Sequence, residues 1–168
     1  MTTTVQTPAA RAAEKTPMTS TRKTALVAGI FYLVTFVSIP TLALYGPVKN
    51  HRDWVLGTGS HTGVLVGGFL EIIVALAGIG TAITLYPVIK RQNEGFALGF
   101  VTSRVIEGGL IFTGVLSLLS LVTLRQDLTG GSAASLVTTA ASHVATYKWT
   151  FVLGQNLMPG VNALLLGT

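Results

Sequence analysis

Between Thr24 and Tyr45 the chain carries no charged residue. A helix of about 22 residues, rising about 1.5 Å per residue, covers the roughly 30 Å hydrocarbon core of a bilayer. A helix of that length on a water-soluble domain needs a polar stripe on its outer face. The pattern recurs: Gly63 to Ile89 is interrupted only by Glu71, and Phe96 to Leu124 only by Arg104 and Glu107. A fourth stretch, 146–167, opens on Tyr147, Lys148 and Trp149 and contains Pro159. Charged residues make up 10% of the chain, against about 25% in soluble domains. These runs predict an all-α fold, a polytopic transmembrane helix bundle occupying residues 24–168 with spans at about 24–45, 63–89, 96–124 and 146–167.

The segments between the runs are polar. Residues 1–23 hold Arg11, Lys15, Arg22 and Lys23 among Thr, Ala and Pro, with no apolar periodicity, and read as a disordered basic tail. The uncharged run after them is too long for the apolar stretch of a secretory signal. Pro40 is expected to bend the last turn of the first span. Gly46 to Thr62 reads as a loop with Trp54 at the headgroups, and Lys90 to Gly95 as a tight turn. After Arg125, a turn at Gly130-Gly131 leads to a short helix over 132–145, expected to lie along the membrane surface. Counting Lys and Arg around the spans puts the N-terminus in the cytoplasm, with Arg11, Lys15, Arg22, Lys23, Lys90 and Arg91 inside and Lys49, Arg52, Arg125 and Lys148 outside. The 11 basic residues exceed the 6 acidic ones, yet they flank the apolar runs rather than forming a patch, so no nucleic-acid partner is expected. The expected partner is the lipid bilayer. With no cysteine in the chain, disulfides and thiolate chemistry are excluded.

The runs TALVAGIFYLVTFVSIPTLALYGPV, GGFLEIIVALAGIGTAITLYPVIKRQNEGFALGF and SRVIEGGLIFTGVLSLLSLVTLR carry a resemblance, with LYPVIKRQNEGFALG its most specific piece. They resemble the bacterial multi-pass membrane family called domain of unknown function 4386, over roughly Thr24 to Gly167. The resemblance implies a helical fold in the bacterial cytoplasmic (inner) membrane. It also implies further membrane helices after a segment like VNALLLG, so the chain is expected to be a piece of a longer bundle. It implies no activity, cofactor or site residue.

Charges inside spans are the natural places for chemistry, because each costs about 2.5–3.5 kcal/mol at a helix centre. Arg104 and Glu107, three apart, share a helix face and can neutralise one another. Helical rise puts Glu107 roughly 16 Å from the inner end of its span and Glu71 roughly 12 Å from the outer end of its own, so Glu71 and Arg104 are not expected to pair. The fourth span brings Gln155 and Asn156 to the depth of Glu71 and Asn162 to that of Glu107, so two polar layers are expected. One joins Glu71 to Gln155 or Asn156, and the other joins Arg104 and Glu107 to Asn162.

Three functions compete for these residues. The leading one is a structural or partner-binding bundle, not an enzyme and without a cofactor, in which the layers fix helix register. The second is a small-solute or proton-coupled transporter using the same residues. The third is a membrane-face metallohydrolase built on His51, His61 and His143 with Asp53 and Ser142, although no HExxH spacing supports it. Gly63 and Gly67, Gly95 and Gly99, and the Gly108-Gly109 pair with Thr113 and Gly114 are expected to let helices approach closely, and one such face would serve self-association.

Overall fold

The structure, a computed structural model, describes residues 18–51, 53–57, 60–126 and 132–167. Most of the basic tail, Arg52, the Gly130-Gly131 turn and Thr168 lie outside the described residues. The described residues form helices and short connections, with no strand.

Helix α1, Ser20–Val34, starts earlier than the tail reading allows because Thr19 caps it: its hydroxyl oxygen accepts the Arg22 N–H. The first expected span is not one helix. After α1 the backbone tightens into a 3₁₀ stretch, Thr35–Ser38, and resumes as α2, Thr41–Leu44, and α3, Gly46–Asn50. Pro40 has no N–H to offer the preceding turn. The hydroxyls of Thr35, Ser38 and Thr41 each donate to the carbonyl three residues back, which bends the same region. The break therefore begins a full turn before the proline.

Among the described residues, two helices are long and apolar enough to cross a membrane, α4, Thr62–Ile89, and α5, Glu94–Gln126. Asn93 caps α5 by accepting the Phe96 N–H. Lys90 and Glu94 pair at 2.9 Å across the turn. That hydrogen bond, helped by the carboxylate charge, holds the Lys90 ammonium above the usual lysine range.

Helix α6, Ala133–Phe151, corrects the surface-helix reading, because it runs without a break toward the fourth expected span. It opens on Ser132, whose side chain accepts the Ser135 N–H. It widens into a π-helical stretch, Val152–Leu157, and continues as α7, Met158–Gly167. Pro159 explains the widening: it cannot donate to the carbonyl four residues back, and its ring crowds that carbonyl. The interruption keeps this path, like the first, from forming one span-length apolar helix.

Helix α1 packs on α4, α4 on α5, and α5 on α6 and α7. The larger apolar core lies at one end of the bundle, where Tyr45, Val55, Val64, Leu118, Leu121, Leu136 and Tyr147 meet. A smaller core of Val74, Ala75, Ile111 and Val115 lies further along.

Outside these cores, large apolar side chains are exposed over a limited height. On the last helical path they start at Trp149 and continue through Leu153, Leu157 and Leu164 to Leu166. N-terminal to Trp149 the exposed residues of α6 are Ala, Ser, Thr and Lys148. On α5 the exposed large apolar residues run from Phe96 to Leu116, and on α4 from Leu65 to Val88. A Cβ built on Gly68 would meet Val115, and one on Gly114 would meet Tyr147, which sets the register between neighbours. Phe69, Leu116 and Trp149 thus stand at one level, within a turn of the α4 edge. From there the exposed belt extends about 26–30 Å along α5 and the α6–α7 path, by helical rise.

Candidate functional site

The belt contains two layers of polar side chains. Glu71, on α4, lies near the belt's Trp149 edge and is fully buried. Its carboxylate accepts three hydrogen bonds: from the Tyr45 hydroxyl at 3.4 Å, the Tyr147 hydroxyl at 3.1 Å and the Gln155 amide at 3.2 Å. The donors come from the chain just after α2, from α6 and from the π-helical stretch, so one carboxylate ties three separate segments to α4. The Tyr45 and Tyr147 rings meet edge to face with centroids 5.3 Å apart, and the Lys49 ammonium lies 5.6 Å from the Tyr147 ring centre.

Glycine makes this layer possible. Gly67 stands one turn before Glu71 on α4, and a Cβ there would come within 2.5 Å of the Tyr45 ring. Gly114 does the same for α6, where a Cβ would meet the Thr150 hydroxyl at 2.7 Å and the Tyr147 ring at 3.2 Å. Of the other glycines expected to open close contacts, Gly63, Gly99 and Gly108 do face neighbours within 4 Å. A Cβ on Gly95 would meet only the nearby Asn93, and one on Gly109 would point into open space.

The second layer lies near mid-belt. The Arg104 Nη1 donates to both oxygens of Glu107, at 3.2 and 3.0 Å, and each side chain is 12% exposed. Asn162, buried on α7, donates its amide to Glu107 and accepts the Ser103 hydroxyl at 2.6 Å through its own oxygen. Both ends of the Asn162 amide are thereby used, which fixes its orientation and ties α7 to α5. The guanidinium also lies over the Phe100 ring, 5.7 Å from its centre. The Arg104 Nε is buried and has no hydrogen-bond partner among the described residues.

Of the six residues singled out from the sequence, Glu71 meets Gln155, and Arg104, Glu107 and Asn162 form one cluster. Asn156 joins neither layer and faces outward. The π-helical turn decides between the two amides, since only Gln155 reaches the carboxylate. Tyr45, Tyr147 and Ser103 were not anticipated as members. Tyr147 in particular is buried rather than interfacial, and the exposed aromatic there is Trp149. A signal was present in Gly67, a gap one turn from a buried acid. Trp54 is half-buried and stacks under the Arg125 guanidinium, 4.3 Å away.

The three histidines are not brought together. Among the described residues no three His, Asp or Glu side chains are grouped so as to hold a metal ion.

A family model described as Domain of unknown function (DUF4386) matches residues 27–168. No curated protein and no solved structure matches the chain.

Proposed function

The chain belongs to the DUF4386 family, and from that premise we propose that it is a four-span protein of the bacterial cytoplasmic membrane whose polar layers hold its helices together. The N-terminus is cytoplasmic, and α1 to α3, α4, α5, and α6 with α7 each make one crossing. The observation that carries this reading is the belt. Exposed Trp149, Leu116 and Phe69 mark one edge, Leu166, Phe96 and Val88 approach the other, and the height between matches a hydrocarbon core of about 30 Å. In water so much exposed apolar surface would drive aggregation; in lipid it has no cost.

The layers then have a clear role. Inside lipid the hydrophobic effect does not draw helices together, so close packing and interhelical hydrogen bonds must. The close contacts at Gly67, Gly108 and Gly114 and the bonds to Glu71 and Glu107 supply both. The larger apolar core lies at and beyond the Trp149 edge, where water is present and apolar burial stabilises. The open surface at Gly109 is the face through which a second copy would approach.

Such a role separates activity from stability. Variants with Glu71→Gln or Glu107→Gln are expected to complement cells lacking the chain as well as the native sequence does, while unfolding at lower temperature in detergent. Loss of complementation at undiminished abundance would contradict a purely structural role. It would favour the second reading, a solute transporter, which the cavity beside Arg104 and Glu107 supports.

A further inference from the structure

The Arg104 layer borders a cavity of about 330 Å³, at the lower end of the roughly 300–1,000 Å³ typical of small-molecule sites. Tyr32 and Thr35 line it from the α1 segment, Arg104 and Glu107 from α5, and Gln155 and Asn162 from the last helical path. Acyl chains are a poor filling for such walls, because they offer no hydrogen bond to the polar atoms they would touch.

The wall chemistry narrows the occupant. Arg104 and Glu107 cancel in charge, so an entering ion would bring an uncompensated charge to mid-belt, where charge is most costly. The bonds from Arg104 to Glu107 use its Nη1 alone, so the guanidinium keeps further donors. Gln155 gives its amide to Glu71, which leaves its carbonyl oxygen as an acceptor, and the Tyr32 hydroxyl can serve in either role. Val74, Ile111 and Ala163 add an apolar side.

We propose that this cavity is a hydrated site for a small uncharged organic solute, a polyol or simple amide, whose oxygen accepts from Arg104 and whose hydroxyl or amino group donates to Gln155 or Tyr32. The site rests on the bilayer-spanning reading, since only in lipid is a polar pocket at this depth set apart from its surroundings.

The absence of native cysteine makes single introduced cysteines clean reporters. Ala163 lines the cavity, and Leu164, its neighbour on α7, is exposed on the belt. The full chain carrying Ala163→Cys or Leu164→Cys is reconstituted into phospholipid vesicles, with a small water-soluble methanethiosulfonate on both sides. Thiolates form in water and are suppressed in apolar surroundings, so the Ala163→Cys variant is expected to react about 10-fold faster or more. Glycerol or urea is expected to slow that reaction about twofold once its concentration matches its dissociation constant, and sodium acetate is not. Equally slow reaction at both positions overturns the site. Rapid reaction at both overturns the bilayer reading itself. Fast reaction at Ala163→Cys that neither glycerol nor urea slows overturns the solute assignment, and slowing by acetate overturns the requirement for an uncharged ligand.

Discussion

Replacing Arg104 with methionine is expected to lower the free energy of unfolding by about 3–5 kcal/mol, because the Glu107 carboxylate is then left buried without its cation. The pair is 12% exposed on each side, so water cannot replace the lost guanidinium cheaply. Asn162 would remain as a donor to Glu107, but an amide does not neutralise charge. The double variant Arg104→Met with Glu107→Leu should recover much of the loss, since removing both charges of a buried pair is often close to neutral. It does not return all of it, as Asn162 then keeps only Ser103. Equilibrium unfolding followed by helical circular dichroism in mixed micelles measures both values. Equal destabilisation by the single and double variants would show that the unpaired Glu107 charge is not the source of the loss.

Glu71→Leu is expected to cost about as much by a different route. It leaves the Tyr45 and Tyr147 hydroxyls and the Gln155 amide without the acceptor they share. Each buried group left unsatisfied costs about 1–3 kcal/mol. Glu71→Gln is milder, because its carbonyl still accepts from Tyr147 and Gln155 while the Tyr45 hydroxyl turns to accept from the new amide. The expected order of midpoint in the same unfolding assay is native, then Glu71→Gln, then Glu71→Leu well below. A Leu variant as stable as the native chain would mean that the three donors find other partners.

Much of the fold was legible because a long uncharged run admits few structures. Thr62–Ile89 and Glu94–Gln126 fall within two residues of the expected spans, and the turn between them follows from Lys90 to Asn93. The first and last helical paths were less legible because their breaks depend on local backbone chemistry. The hydroxyls around Pro40 bend the chain earlier than proline alone would, and Pro159 acts through a π-helical turn that no periodicity announces. The start of α6 was legible to within a residue, but its continuation past residue 145 was not, because small and polar residues such as Ala134, Ser135 and Thr139 suit a helix end standing beyond the belt as well as one lying along a surface.

The polar layers were legible as depths and not as contacts. Helical rise brought Gln155 and Asn156 equally close to Glu71, and only the rotation of the π-helical stretch separates them. The tyrosines were hidden because a tyrosine at the end of an apolar run ordinarily reads as an interfacial residue. Burying the Tyr45 and Tyr147 rings needed the space at Gly67 and Gly114, a relation between distant segments that a single run does not display.

On the proposed bilayer-spanning arrangement, stability divides at the Trp149 edge: apolar burial acts on the side facing water, and hydrogen bonds with close helix contact act within the belt. In that arrangement acyl chains cover the belt, and fluorescence quenching by brominated phospholipids tests this directly. The chain has two tryptophans, so Trp54→Phe leaves Trp149 as reporter for the edge, and Leu157→Trp with both natural tryptophans replaced by Phe reports from mid-belt. Strong quenching of both is expected, with Trp149 most sensitive to bromines near the headgroup and the mid-belt reporter to bromines near the chain ends. No quenching of either reporter at any bromine position would contradict the claim.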